Sequence, residues 1–268
     1  MKRLIVYGTG NAAVTKCYNT CYSIFDGNEH LLVDAGGGNQ ILTILENKNI
    51  SLNSIKNVFV SHAHTDHVLG IVWILRMIGQ AINKGKYEGN LNVYCHKELK
   101  DKIRTICDLT LNGKVLKLFD ERIIFNVVQN GEERKIMGMD FKFFDILSTK
   151  EKQFGFTLNT EGKKITFLGD EPLSPDLDTS YIENADWLFS EAFCKYDDKD
   201  KFKPYEKHHS TVKDAAEIAS KYNVKNVILW HTEDSDLTNR KESYTKEAKK
   251  YFNGNIYVPN DLEEIDLV

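Results

Sequence analysis

One stretch constrains the fold more than any other: SHAHTDH, residues 61–67, which brings three imidazoles and a carboxylate together within a few positions. An apolar run at 58–60 that is typical of a buried strand precedes it, and a run at 68–82 that is typical of a buried helix follows it. The stretch is therefore predicted to lie in a loop at the carboxyl end of a strand, where α/β folds place their sites.

The spacing of these side chains predicts metal binding. His62 and His64 are two residues apart, so both project the same way from an extended loop. Asp66 and His67 begin the next turn and can point at a second centre nearby. Histidine and carboxylate together suit zinc, iron or manganese. The alternative is a polar surface loop with chance histidines, and the density of the motif argues against it.

The composition is typical of a soluble globular protein, with 41% hydrophobic and 28% charged residues among 268. A net charge of −4 argues against general affinity for nucleic acid, although a local basic patch is compatible with it. Five scattered cysteines do not resemble a disulfide framework, which predicts a reducing, cytoplasmic location. No apolar run is typical of a signal peptide or long enough to span a bilayer, so no membrane association is expected.

Local patterns predict the other elements. Antiparallel strands are expected from 115 to 144, with a hairpin turn at 130–131. Residues from about 194 to 207, rich in Lys and Asp, are expected to form a mobile surface loop. Strands followed by helices occur twice without a linker, which predicts two packed βα halves in one domain over residues 1–268.

The motif at 62–67 resembles the His-x-His-x-Asp-His signature of the metallo-β-lactamase fold superfamily, and the likeness runs along nearly the whole chain, most strongly with the ribonuclease Z-like branch. The resemblance implies an α/β (α+β) fold, a four-layer αββα sandwich of two mixed β-sheets flanked by helices. It also implies a metal-dependent hydrolase, most concretely a phosphodiesterase that uses a metal-activated water.

The resemblance further implies ligands for one or two zinc ions, with manganese or iron as alternatives. Asp170 matches a strand-end Gly-Asp motif whose carboxylate bridges two metals, and His231 matches the last histidine ligand. Asp34 matches a carboxylate that orients a metal-bound imidazole, with a helix cap or turn as the alternative. The implied ligands are His62, His64, Asp66, His67, Asp170 and His231.

A second motif carries the implied catalytic group. His209, followed by Ser210 and Thr211, resembles the ribonuclease Z-like His-Ser-Thr motif, in which the histidine assists phosphodiester cleavage. Glu191 matches a strand-end glutamate that would orient His209. With Asp66, these residues are the expected catalytic set, and a surface histidine before a capped helix is the alternative for His209.

The sequence departs from the family at one ligand. A histidine is expected six or seven residues before the Gly-Phe of a hairpin, and Ser148 or Thr149 stands there instead. A hydroxyl is a poor metal ligand compared with imidazole, so Ser148 and Thr149 are at best weak replacements. We therefore expect an intact centre of Asp66, His67, Asp170 and His231, and a weaker one of His62, His64 and Asp170.

The substrate is left open by the sequence. True tRNA nucleases of the family carry a long Gly/Pro-rich arm, and residues 91–144 offer no room for it, so a small cyclic or linear phosphodiester is as plausible as RNA. Hydrolysis of a lactone or other ester, and a metal-poor binding module without catalysis, are the alternative functions. The helix at 68–82 is expected to be mostly core, with part of its surface available to a second copy in a homodimer.

Overall fold

The computed structural model describes residues 2–268, which form two compact units. The first unit contains residues 2–8, 19–129 and 262–267, and the second contains residues 9–18, 130–261 and 268. Each unit is built on one seven-stranded β-sheet with accompanying helices. The prediction of one domain over the whole chain is not decided by this division and stays a prediction.

Seven strands form the first sheet: β1 (Arg3–Gly8), β2 (Cys21–Phe25), β3 (His30–Val33), β4 (Ile55–Phe59), β5 (Leu91–Cys95), β6 (Ile123–Val127) and β14 (Glu264–Asp266). Their spatial order is β14-β1-β2-β3-β4-β5-β6. Neighbours from β14 to β3 pair antiparallel, and neighbours from β3 to β6 pair parallel. Strand β3 is buried along its whole length, and all of β4 except Lys56 is buried, as expected for parallel strands that are covered on both faces.

Four helices belong to the first unit: α1 (Gln40–Asn47), α2 (Thr65–Asn83), α3 (Lys97–Thr110) and α4 (Gly113–Leu116). Helix α2 buries Ile71, Ile74 and Ile78, which recur at the helical period. Gly70 lies so close to the backbone that a Cβ there would overlap the carbonyl oxygen of Ala35. This close approach packs the first turns of α2 against the loop after β3. Within residues 2–268, no helix is both long and apolar enough to cross a membrane.

Seven strands form the second sheet: β7 (Glu133–Ile136), β8 (Met139–Asp145), β9 (Phe154–Thr160), β10 (Lys163–Phe167), β11 (Trp187–Glu191), β12 (Asn226–Trp230) and β13 (Asn255–Tyr257). Their order is β13-β12-β11-β10-β9-β8-β7, antiparallel from β7 to β10 and parallel from β10 to β13. The helices of this unit are α5 (Lys199–Phe202), α6 (Val212–Lys221) and α7 (Leu237–Ala248). Because β10, β11 and β12 are parallel, their carboxyl ends meet at one edge of the sheet.

Two predictions about strands were wrong, and one strand was not predicted. Strand β6 pairs parallel with β5 in the first sheet, although antiparallel strands were predicted throughout 115–144. The hairpin between β7 and β8 turns at Met137 and Gly138, both at positive φ, rather than at 130–131. Strand β14 was not predicted, because a three-residue strand carries little periodic signal and depends on its partner β1.

The Lys- and Asp-rich segment near α5 has more regular structure than the predicted loop. Residues Tyr196–Asp198 and Tyr205–Lys207 form 3₁₀ turns on either side of α5. Glu247 of α7 is buried, and its carboxylate accepts hydrogen bonds from the backbone N–H groups of Tyr196 (2.7 Å) and Asp197 (3.3 Å). This carboxylate ties the segment to α7.

Candidate metal centre

In the first unit, the predicted histidine cluster lies in the loop that joins β4 to α2. His62 and His67 are buried, and His64 is half-buried. His62 Nε2 lies 2.9 Å from His64 Nδ1, and the Ser61 hydroxyl lies 2.9 Å from the other ring nitrogen of His62. The two imidazoles therefore converge through one nitrogen each, which is the arrangement expected of two ligands of one ion.

Asp34 follows β3 and anchors this loop. It is buried and has a φ of 53°, which is uncommon for a residue other than glycine. Its carboxylate accepts hydrogen bonds from Ser61 N–H (2.8 Å), from the Ser61 hydroxyl (2.7 Å) and from His67 Nδ1 (2.8 Å). Because an ionised carboxylate only accepts, the proton of a neutral His67 ring sits on Nδ1, and Nε2 carries the lone pair. The role of Asp34 toward a metal stays a prediction.

In the second unit, the parallel strands bring two of the predicted ligands together. Asp170 lies three residues beyond the end of β10, and His231 directly follows β12. His231 has a φ of 56°, the left-handed conformation that Asp34 also adopts. Glu191, at the end of the intervening strand β11, lies 3.5 Å from His231 Nδ1 through its Oε2.

Each unit contains one carboxylate–imidazole pair with the same separation. Asp66 Oδ2 is 3.3 Å from His67 Nε2 in the first unit, and Asp170 Oδ2 is 3.3 Å from His231 Nε2 in the second. Two ligands about 2.0–2.1 Å from a tetrahedral zinc ion lie roughly 3.3 Å apart, so both pairs have the spacing of neighbouring ligands. All four side chains are buried, where a carboxylate is costly without cationic compensation. The donor atoms of each pair, taken by itself, fit a metal ion.

His209 is held by acceptors and by an aromatic ring. Its Nδ1 lies 2.8 Å from Glu191 Oε2 and 3.1 Å from the carbonyl oxygen of Asp170. The other oxygen of Glu191 accepts from Ser210 N–H at 2.6 Å. Phe193 stacks on the imidazole, with 4.9 Å between centroids and 5° between planes. Because both neighbours of Nδ1 are acceptors, Nδ1 carries a proton, and Nε2 is the nitrogen that can exchange one.

The place of the expected histidine is taken by hydroxyl groups that have other contacts. Ser148 Oγ donates to Glu171 Oε1 at 2.6 Å, and the second oxygen of Glu171 accepts from Thr149 N–H at 3.2 Å. Thr149 Oγ1 lies 2.9 Å from Nδ1 of His208, the additional histidine before His209. These contacts connect the loop after β8 to two other loops of the same unit. Replacement of the missing ligand by Ser148 or Thr149 stays a prediction.

Two buried residues near Asp170 were not singled out from the sequence. Buried Glu171 accepts a hydrogen bond from Ser148 and directly follows the Gly-Asp motif. Its position next to that motif could have marked it as a candidate site residue. Gln153 bonds Asp170 and directly precedes β9. A lone glutamine before an apolar strand is a weak signal, because exposed glutamines are common at such positions.

Solved structures share this fold over almost the whole chain. The metallo-β-lactamase fold protein YhfI from Bacillus subtilis aligns with a TM-score of 0.78 and 19% identity over 98% of both chains. The short form of human tRNase Z aligns with a TM-score of 0.75 and 20% identity over 99% of both chains. These likenesses confirm the predicted metallo-β-lactamase fold, with its two mixed β-sheets flanked by helices.

Sequence comparison places the chain more narrowly. It is 27% identical to the ribonuclease Z of Ignicoccus hospitalis over 305 aligned residues, which cover 98% of this chain and 97% of the relative. The chain belongs to the family described as anti-Pycsar protein Apyc1, whose family model matches residues 2–252. The resemblance to the ribonuclease Z-like branch is confirmed, and the comparisons support a metal-dependent hydrolase that acts on phosphodiester bonds.

Proposed function

We propose that this chain is a metal-dependent phosphodiesterase in which His209 transfers a proton. The observation that carries the proposal is the arrangement of His209 between Glu191 and the ring of Phe193, beside the ligand pair of Asp170 and His231. Phosphodiester cleavage needs a proton donor for the leaving oxygen, and a histidine oriented by a buried carboxylate supplies one. The His-Ser-Thr motif and the ribonuclease Z relatives favour a phosphodiester over a lactone as the substrate.

We infer that the predicted ligands hold one or two ions, with zinc as the first expectation and manganese or iron as alternatives. By the resemblance of their motifs, His62, His64 and Asp170 form one proposed set, and Asp66, His67, Asp170 and His231 form the other. When bound, such ions lower the pKa of a water and offset charge on phosphoryl oxygens. The first set has fewer protein donors, so we expect it to bind its ion more weakly.

The chain's own residues then have distinct tasks. Asp66 accepts a hydrogen bond from the attacking water in addition to its role as a ligand. His209 donates from Nε2 to the leaving oxygen, and the carboxylate of Glu191 stabilises the protonated ring that makes this donation favourable. Asp34 keeps His67 in the tautomer that presents Nε2.

A small phosphodiester, cyclic or linear, is the substrate we propose ahead of RNA. The alignment with the Ignicoccus hospitalis relative is longer than this 268-residue chain, so segments of that ribonuclease Z have no counterpart here. Between β5 and β8 the structure contains α3, α4, β6 and β7 with short connections, and these described residues include no long arm. The net charge of −4 also disfavours a long polyanion.

The test measures hydrolysis by the metal-loaded protein of bis(p-nitrophenyl) phosphate, a cyclic mononucleotide, a tRNA precursor and a lactone. We expect cleavage of the small phosphodiesters. For the cyclic mononucleotide, whose leaving alkoxide needs a proton, we expect His209→Ala to lower kcat about 10²–10⁴-fold. His208→Ala is the matched control, because this neighbouring histidine is exposed and its Nδ1 lies 2.9 Å from Thr149 Oγ1. It should retain activity.

Each other outcome favours a named alternative. Cleavage of the tRNA precursor alone would make RNA the substrate, and cleavage of the lactone alone would favour an esterase. If the protein bound none of zinc, manganese and iron and hydrolysed none of these compounds, a binding module without catalysis would be favoured. Equal losses for His208→Ala and His209→Ala would contradict the assignment of His209.

We also propose a cytoplasmic location and a homodimer. All five cysteines are free thiols, as expected in a reducing compartment.

Helix α2 leaves Leu69, Val72 and Met77 half-buried and Trp73 exposed on one side, which forms an apolar strip for a second copy. Sedimentation of the wild type and of Trp73→Glu tests the dimer, which the added charge should dissociate.

A further inference from the structure

Gln153 is a buried amide whose two polar atoms are both bonded to one residue. Its side chain is 0% exposed. The Nε2 group donates to Asp170 Oδ1 at 2.6 Å, and Oε1 accepts from the backbone N–H of Asp170 at 2.8 Å. These bonds also settle the orientation of the amide, because a carboxylate only accepts and a backbone N–H only donates.

The backbone beside Asp170 is shaped around this amide. Gly169 has a φ of 86°, and a Cβ at this position would overlap Oε1 of Gln153. Two independent constraints therefore require glycine there, the left-handed conformation and the close approach of the amide. The Gly-Asp motif and Gln153 form one packed unit in which the Asp170 side chain has little freedom.

The amide distinguishes the two oxygens of Asp170. Oδ1 accepts from Gln153, whereas Oδ2 lies 3.3 Å from His231 Nε2, at the spacing of neighbouring metal ligands. We propose that Gln153 is a positioning residue that directs Oδ2 toward the metal and keeps Oδ1 out of coordination. As a neutral donor, the amide orients the carboxylate without neutralising its charge, which a lysine would do.

This proposal rests on the proposed metal-binding role of Asp170, and it concerns the part of the site where the chain departs from the ribonuclease Z-like pattern. Gln153 lies in the same connection between β8 and β9 as Ser148 and Thr149, which stand where a histidine ligand is expected. With fewer imidazoles available, the precise direction of the shared carboxylate matters more for ion affinity. Hydrogen-bond partners of ligands typically change metal affinity by about 10–100-fold.

The experiment measures metal binding to purified apoprotein, by zinc competition with a chromophoric chelator and by the visible absorption spectrum of bound Co²⁺. Gln153→Met keeps the length of the side chain and removes both hydrogen bonds. We expect zinc affinity to fall about 10–100-fold and the Co²⁺ bands to shift, because the coordination by Asp170 changes. Thr157→Val on β9 is the matched control, since it removes a buried hydroxyl that bonds Tyr181 rather than Asp170.

Gln153→Glu provides a second variant of nearly the same shape. It replaces the donor by a carboxylate that repels Asp170, so we expect a loss of zinc affinity at least as large as that of Gln153→Met. Circular dichroism of each apoprotein shows whether it is folded. One folded variant, either Gln153→Met or Gln153→Glu, is enough to test whether Gln153 positions Asp170. Wild-type zinc affinity and an unchanged Co²⁺ spectrum in a folded variant would overturn the proposal. If the wild type itself bound no metal, the proposed function would fail instead.

Discussion

Asp34 shows how one residue can organise several neighbours. Its carboxylate accepts from the backbone and hydroxyl of Ser61 and from His67 Nδ1, while its own backbone adopts a left-handed conformation. The strain of that conformation is compensated by three buried hydrogen bonds, each stronger because the acceptor is charged. The arrangement fixes both the direction and the tautomer of His67.

The first prediction concerns Asp34→Asn. Asparagine tolerates positive φ and keeps the shape, but its NH₂ group cannot accept from His67 Nδ1 or from the Ser61 hydroxyl. We expect zinc affinity to fall about 10–100-fold, measured by titration of apoprotein with zinc. Asp26→Asn is the control, because Asp26 caps a surface turn at Asn28 and Glu29. Equal zinc affinity in Asp34→Asn and the wild type would contradict an orienting role.

Residues at strand ends were the most predictable ones. The contact of Glu191 with His209 joins two residues that the resemblance had already paired. Asp34 was expected to orient an imidazole that the sequence did not specify, and it contacts His67. Gln153 was missed because its significance depends on a partner 17 positions away in a different loop. No local pattern distinguishes a glutamine that binds a carboxylate from one that faces solvent.

At the scale of elements, a series of buried side-chain hydrogen bonds connects three adjacent strands. The Tyr7 hydroxyl of β1 lies 2.7 Å from the Ser23 hydroxyl of β2, which lies 2.9 Å from Nδ1 of His30 in β3. Phe25 stacks on the imidazole at 4.5 Å. Burial lowers the pKa of His30 from its usual 6.5 to about 4, although Asp26 nearby acts in the opposite direction.

The second prediction is a pH dependence of stability from His30. Between pH 6.5 and about 4 the unfolded chain binds a proton at this site and the folded chain does not. The free energy of unfolding therefore falls as the pH falls through this window, by about 1.4 kcal/mol per pH unit from this residue, and the contribution levels off below the folded pKa. Urea unfolding of the wild type and His30→Gln at several pH values measures it. Equal slopes for the two proteins would be the contrary result.

Elements with strong periodic patterns were predicted well, and those that depend on distant partners were not. The buried strand before the histidine cluster and helix α2 after it match the predicted order closely. The parallel pairing of β6 with β5 depends on the path of α3 and α4 between them, which periodicity does not describe. The short edge strand β14 exists only because β1 offers it hydrogen-bond partners.

At the scale of the whole molecule, bound metal should be part of its stability. A ligand that binds only the folded chain stabilises it by about 2.7 kcal/mol at a free concentration of 100 Kd. The third prediction is that a chelator lowers the Tm of the purified protein, by roughly 5–10 °C for a chain of this size. Added zinc should restore the Tm.

Asp170→Ala is the control for this prediction, because Asp170 belongs to both proposed ligand sets. The variant should have a low Tm that responds neither to chelator nor to zinc, and it should contain little metal on elemental analysis. A wild-type Tm that did not respond to chelator, in protein shown to contain metal beforehand, would mean that the metal does not stabilise the folded chain.

The sequence by itself determined the kinds of donor atoms and their positions at strand ends, because the 61–67 motif and the apolar strands before Asp170 and His231 are local features. It also determined the fold class, because the motif at 62–67 resembles the signature of a superfamily with one known fold. The tertiary structure decided which oxygen of Asp170 accepts from Gln153 and which nitrogen of His209 lies against Glu191. It also decided that Ser148 donates to Glu171 and that Thr149 lies beside His208. Those features depend on side chains that meet only after distant segments pack, and a linear pattern does not encode their directions.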